Sequence, residues 1–426
     1  MIEIIKRNKT ELIVSSIFLF FAFGFNVYRV QSDGTFYYSF LEYILRIPDP
    51  ESVSVLSNNP GFYQSGCAYF NVPFYLVAYL AEKLFPGPIS FNGITLRQIA
   101  INLASNFYML LSLLLSVRIL KRLNFKYRIL PVLSVLFSTT AFTAAVIVPS
   151  FNHAVDIFLV TLTVYFFIIY RDAKPQKHFW LGPVYVLLIL VRYTNFILIV
   201  PLSLYYLAFK EFKKLKYLFI GIVSFIWVLP LIFYIYNGNL FSFMQNINDT
   251  GIFFSGVSIV PKYFFKNLLH PVHGLFIWSP VTILSILGLL FFPKMQQKLA
   301  YLLLGFFLSL LLMYSFIPFW YGGWSFSNRY LSGLFPIFVI GLAAFLERYK
   351  KKAILLIVIL TSYSIVLYFS WRLNIVHGEY GMPQDMITAW RNGEAPASYD
   401  KEVNLKIILN RLYETCRYKY ILKIIR

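Results

Sequence analysis

Residues Glu11 to Leu45 read ELIVSSIFLFFAFGFNVYRVQSDGTFYYSFLEYIL. The first half is an almost unbroken apolar run, Asp33 is the first acidic residue after it, and a band of aromatic residues follows. At about 1.5 Å per helical residue, the run 11–29 approaches the roughly 30 Å of a bilayer's hydrocarbon core. Beyond it, Tyr37, Phe40, Leu41, Ile44 and Leu45 fall on one helical stripe, the pattern of a helix lying along a membrane interface. A carboxylate at that junction has two readings. Asp33 or Ser32 caps the interfacial helix, since short oxygen-bearing side chains satisfy the free N–H groups of a first turn. Alternatively, Asp33 does chemistry there. A capped helix also holds a carboxylate still, so the two roles are compatible.

The same apolar pattern recurs along the chain. Of 426 residues, 59% are hydrophobic, 20% aromatic and 13% charged, with a mean hydropathy of +0.67. That is too little charge to cover a soluble surface of this length, and the composition predicts an all-α polytopic membrane protein. Apolar runs lie near 11–29, 98–117, 129–147, 154–170, 178–191, 194–209, 217–236, 275–292, 299–317, 330–346 and 353–370. These make eleven expected spans, with 66–85 as a candidate twelfth. The Lys6, Arg7 and Lys9 start imitates a signal peptide, but NVYRVQ follows without a small-residue cleavage pattern, so a retained first helix is expected.

The net charge of +20 would suggest nucleic acid in a soluble protein. Its distribution points elsewhere. With the N-terminus cytoplasmic and eleven alternating spans, the inside segments are KRNK, RILKRLNFKYR, RDAKPQK, KEFKKLK, PKMQQK and ERYKKK. They hold 21 of the 38 Lys and Arg residues; the outside loops hold eight and the tail after residue 370 nine. Every inside loop is basic, as the positive-inside rule requires. The charge is an orientation signal, and no nucleic-acid partner is implied. An extra crossing at 66–85 would reverse every later loop, so that segment is expected along the outer interface or as a re-entrant helix. Cys67 and Cys416 belong to no metal-binding spacing. Both fall outside the cytoplasm in this topology, where a disulfide or two separate thiols are open readings.

The remaining unusual polar residues collect on the outer side: Asp33; His153 and Asp156; Arg192 and Asn195; His270 and His273; Trp320, Trp324, Asn328 and Arg329. Ionisable groups at the ends of membrane helices are costly unless paired, hydrated or facing a cavity. Their clustering predicts a polar chamber opening outward. His153 and Asp156, three apart, share a helix face as a structural or a ligand-contacting pair. Arg192 either bonds loop carbonyls or touches substrate, and Asn195 either caps the next helix or does so. Arg329 follows a Gly- and Trp-rich loop, where its fork suits a phosphate or, alternatively, a lipid headgroup.

These stretches, in order, resemble the GT-C superfamily of membrane glycosyltransferases, which includes protein O-mannosyltransferases and the aminoarabinose transferases of lipid A. SDGTFYYSFLEYIL resembles the family's first outside loop, and YQSGCAYFNVPFYLVAYL its Pro-Phe-Tyr segment. FNHAVDIFLVTLTVY and LVRYTNFILIVPL are similar to its third-to-sixth helix region; HGLFIWSP and YGGWSFSNRYLSGLFP are similar to its late motifs. The resemblance covers about residues 10–350. It implies a GT-C-type bundle of about 11–12 transmembrane helices, with interfacial helices in the first outside loop. It implies a polyprenyl-phosphate sugar donor, a lipid, glycan or protein acceptor, and an acidic catalytic residue on the outer face of a bacterial cytoplasmic membrane.

By position, Asp33 becomes the catalytic carboxylate and Arg329 the donor-phosphate ligand. His153, Arg192, Asn195 and His273 become pocket candidates. Where many members carry an acidic pair, Ser32 and Gly34 flank a single Asp33; Gln64 replaces a usual Pro and Ser327 a usual Gly. No cofactor is marked, and a divalent metal stays open. Rival readings are a transporter or flippase of lipid-linked sugars, which should carry internal repeats, and an O-antigen-type polymerase or ligase. Residues 1–370 form the expected membrane module. The tail 371–426 either covers the site or is an interfacial appendage.

Overall fold

The computed structural model describes residues 8–30, 33–49, 65–85, 90–91, 93–237, 263–270, 273–292, 296–317, 320, 322 and 325–372. Ser32, Gln64, Trp324, Cys416 and the tail beyond 372, all considered above, lie outside the described residues.

Described helices are α1 (Lys9–Phe25), α2 (Asp33–Leu45), α3 (Gly66–Leu84), α4 (Leu96–Arg122), α5 (Ile129–Ser138), α6 (Thr140–Phe142), α7 (His153–Tyr170), α8 (Leu181–Val191), α9 (Ile199–Ala208), α10 (Phe212–Phe225), α11 (Val228–Asn237), α12 (Phe264–Leu269), α13 (Leu275–Trp278), α14 (Val281–Leu290), α15 (Gln297–Ser315), α16 (Phe335–Tyr349) and α17 (Lys351–Arg372). A two-residue hairpin pairs Ser90–Phe91 with Ile94–Thr95. Six described helical segments are long and apolar enough to cross a membrane, or seven if the bent pair 129–138 and 140–147 counts as one. The other apolar runs form shorter helices, such as the 11 residues of α8. At about 1.5 Å per residue, α8 spans roughly 16 Å and stops well short of a bilayer's width. The outermost spans leave much apolar surface uncovered. Only 17% of the Phe212–Ile232 window and 28% of the Lys351–Phe369 window is buried, against 89% for Arg329–Tyr349.

The loops sort to two ends. At one end the basic segments meet: Lys121 Nζ lies 2.5 Å from Glu11 Oε1, the Lys126 N–H donates to Glu347, and Lys214 Nζ reaches the Arg171 carbonyl. Lys298 lies over Phe209 and Arg348 over Phe291 at the same end. Asp33, the start of α4, residues 148–153, residues 191–195 and the loop before α16 gather at the other. Both ends of α3 meet this second end. Gly66 packs on the Leu190 carbonyl, and Glu82 pairs at 2.8 Å with Arg97 in the first turn of α4. The helix 66–84 therefore begins and ends at the same end of the described bundle.

Two departures from the sequence reading shape the site. The run 129–147, expected as one straight crossing, bends by 76°. Thr139 causes the break locally: its hydroxyl donates back to the Val135 carbonyl and accepts from the Ala141 N–H, ending one helix and starting the next. A π-turn, Thr143–Ile147, then delivers the chain to residues 148–152. Secondly, α2 is wrapped rather than laid on a surface. Tyr37 joins the main core, while Tyr38, Phe40 and Leu41 form a smaller core with Ala68, Tyr75 and Ile101 from α3 and α4.

Candidate functional site

The segment between α1 and α2 is pinned before it reaches Asp33. The Val27 N–H donates to the Val146 carbonyl, Asn102 Nδ2 to the Tyr28 carbonyl, and the Val30 N–H to Gln98 Oε1. Asp33 then opens α2, in the first turn, where a carboxylate is favoured by the free N–H groups. Gly34 is required by close approach, since a Cβ there would run into the Ser150 side chain. Gly34 thus seats the start of α2 directly on the turn that ends the broken helix.

Arg329, 296 residues downstream, meets Asp33: its Nη1 donates to Asp33 Oδ2 at 2.8 Å. The two side chains are 15% and 22% exposed, enclosed yet reachable. The guanidinium carbon lies 5.3 Å from the Phe151 ring centroid and 5.8 Å from that of Tyr330, so aromatic faces hold it from behind. Gly322, at φ +72°, leaves room beside the arginine stem; a Cβ there would lie 3.0 Å from Arg329 Cγ. Buried Arg329 Nε has no acceptor in hydrogen-bond geometry among the described residues. The guanidinium is bonded by the Asp33 carboxylate and by the Tyr330 side chain.

The 3₁₀ turn Arg329–Leu334 is held from three directions. Asn328 caps it, accepting from the Tyr330 N–H, and donates through Nδ2 to Asn267 Oδ1 on α12 at 2.6 Å. His153, at the start of α7, places Nδ1 3.3 Å from the Ser332 hydroxyl. Arg192 donates to the Tyr330 carbonyl at 3.3 Å and to Asp156 Oδ2 at 3.0 Å. Asn195 Nδ2 donates to the other Asp156 oxygen at 2.7 Å. Tyr314 and Tyr330 stack at 4.8 Å, with the Arg192 guanidinium 5.4 Å from each ring. All three polar members are buried, Asp156 at 0% exposure.

The structure therefore brings the six sequence candidates to one end but into different relations. Asp33 and Arg329 touch. Arg192 and Asn195 direct their polar atoms at Asp156, which is satisfied within the fold, and His153 faces Ser332. Asn195 makes no side-chain cap. His273, fully buried, belongs to an adjoining cluster with His270, whose ring is 6.2 Å away, and Trp320. Tyr263 stacks on that tryptophan and Lys266 lies over it.

A further network was not anticipated. Asp49 Oδ2 accepts from the Tyr38 hydroxyl and from Thr95 Oγ1, both at 2.5 Å, and the Asp49 N–H donates to Glu42 Oε1. Arg97 Nη1 donates to the Pro48 carbonyl and to the Tyr75 hydroxyl. Burial, and next to it the Asp49 carboxylate, push the Tyr38 phenol well above its usual range, so it stays a donor. This network closes α2 and α3 over the start of α4. Two charges of opposite sign in outside loops, Asp49 and Arg97, were the available signal for it.

Among the described residues, no group of three or more His, Cys, Asp or Glu side chains is arranged to hold a metal ion. No protein-family model and no curated protein matches the chain.

Proposed function

We propose that this chain is a membrane glycosyltransferase of the kind its motifs resemble. It would move a sugar from a polyprenyl-phosphate donor to a hydroxyl of a lipid, glycan or protein acceptor, at the end of the bundle bearing Asp33. The observation that carries the reading is the meeting of Asp33 and Arg329 across 296 residues, in a position that solvent still reaches. In the transfer, Asp33 takes the proton of the acceptor hydroxyl as the acceptor oxygen bonds to the anomeric carbon. The bond from that carbon to the phosphate oxygen breaks, and its electron pair leaves with the polyprenyl phosphate. Arg329 sits where that charge develops, so its stabilisation is greatest in the transition state. The phosphate is already a good leaving group, which makes a base and a cation the two groups the reaction needs.

The apolar outer faces of the spans fit an integral membrane protein, and the lipid tail of such a donor would lie against them. The basic loops fit a cytoplasmic face opposite the site. The test is transfer by the purified protein in lipid nanodiscs, using a panel of radiolabelled polyprenyl-phosphate sugars with membrane extract as acceptor. Asp33→Asn is expected to lower the rate by roughly 100-fold or more, the usual contribution of a general base. Full activity in that variant would remove Asp33 from the mechanism.

A further inference from the structure

We infer that the basic end of the bundle holds an anionic phospholipid where the 123–128 loop meets the start of α17. Its phosphate sits among Lys126, Arg348, Lys350, Lys351 and Lys352, and its acyl chains lie along the uncovered face of α17. The inference is independent of the glycosyltransferase reading and needs only the long apolar helices.

Arg348, Lys350, Lys351 and Lys352 are near neighbours in the sequence. The fold adds Lys126, whose N–H donates to Glu347 Oε2 at 3.1 Å. Ring contacts bind the same junction: Phe125 meets Phe292, while Arg348 and Tyr349 lie against Phe291. All five basic side chains are exposed. Elsewhere at this end a cation is matched by an acid, as Lys121 is by Glu11 and Lys214 by Glu211. Here, among the described residues, none of the five forms an ion pair. Lys351 and Lys352 also open α17, where the helix dipole favours acidic side chains instead. Like charges gathered in this way repel one another, and an anion relieves the repulsion.

Lys350 turns the chain from α16 into α17 at φ +54° and ψ −134°. Glycine adopts that conformation easily, and a side chain adopts it only with strain. The apolar half of the site continues from there. Only 28% of the Lys351–Phe369 window is buried. At helical spacing Lys351 heads the stripe of Leu355, Val358 and Ile359, which are 68%, 44% and 53% exposed. Lysines at the head of a bare aliphatic stripe match a lipid phosphate at the head of its chains. Basic clusters beside a membrane helix draw anionic headgroups in this manner.

The probe is phosphatidylglycerol, titrated into the full-length protein in detergent and counted by native mass spectrometry, with phosphatidylcholine as the reference. Wild type is expected to prefer phosphatidylglycerol by roughly tenfold or more. Lys350→Gln, Lys351→Gln and Lys352→Gln together should abolish that preference, at about fivefold per lysine. Lys350→Gly relieves the strained turn, so it should melt no lower than wild type and still bind about fivefold more weakly. That variant separates lost charge from lost fold. Lys213→Gln with Lys216→Gln, beside the Phe212–Ile232 window that is only 17% buried, should bind as wild type does. Glycerol phosphate, the headgroup without its chains, should not compete.

A wild-type protein without the preference, or a Lys350→Gly variant that binds as tightly as wild type, overturns the site. Equal loss in the Lys213 and Lys216 variant also overturns it, because the attraction would then belong to the whole basic end. Competition by glycerol phosphate overturns the lipid, since the lysines would then hold a soluble anion without help from the stripe.

Discussion

Two arginine–aspartate pairs lie within one short stretch of this structure, and they are built differently. Arg192–Asp156 is closed: its side chains are 6% and 1% exposed, both carboxylate oxygens are bonded, and Tyr314 and Tyr330 flank the guanidinium. Arg329–Asp33 is open: its side chains are 15% and 22% exposed, within reach of solvent. They are joined through Tyr330, whose carbonyl Arg192 holds and whose ring both arginines approach. The difference teaches how a greasy bundle can keep charge at its end. A buried pair becomes scaffold when every polar atom is satisfied, whereas a more exposed pair keeps its charges within reach of solvent.

The comparison is broken most severely at Asp156. Asp156→Ala strands the buried Arg192 charge and removes the acceptor of Asn195, so it should cost about 3–5 kcal/mol of stability. Asp33→Asn, at the open pair, should cost only about 1 kcal/mol because solvent already screens it. Thermal unfolding of the two purified variants side by side checks this, and equal losses would erase the distinction between scaffold and site.

A smaller effect is expected at the residue the pairs share. Tyr330→Leu removes the stack on Tyr314 and an aromatic face beside both arginines, for about 2 kcal/mol of stability. It should also weaken undecaprenyl phosphate binding by roughly tenfold through the loosened Arg329. A stability loss with unchanged phosphate affinity would show that the two pairs are neighbours without being coupled.

Much of this was legible beforehand because the signals are local. Apolar runs and the placement of Lys and Arg are written residue by residue, and they anticipated which loops share an end. Asp33 and Arg329 could be singled out by residue type and by motif resemblance. Their contact could not be read, because nothing local encodes a partner 296 residues away. Nor could it be read that Arg192 and Asn195 both donate to Asp156, because nothing local pairs residues 36 and 39 positions apart. The bend at 129–147 was missed although Ser138, Thr139 and Thr140 interrupt the apolar run, because hydropathy averaged over a span hides three hydroxyl residues. The Glu42–Asp49–Arg97 network was hidden similarly, its arginine having been tallied as loop charge.

The smallest expected effect lies at the cap that aims Arg329. Asn328 uses its carbonyl on the Tyr330 N–H and its amide on Asn267, so the residue ties the 3₁₀ turn to α12. Asn328→Ser keeps a capping oxygen but loses the reach to Asn267, leaving a buried acceptor short of its donor; about 1 kcal/mol of stability should go. If aiming is the role of this bond, the variant should also lose a few-fold in phosphate affinity. Asn267→Leu should then reproduce that loss, and the double variant should add little to either single change, the signature of two residues acting through one contact. Additive losses would mean that α12 steadies the fold at that point and leaves the aim of the guanidinium to the ring faces of Phe151 and Tyr330.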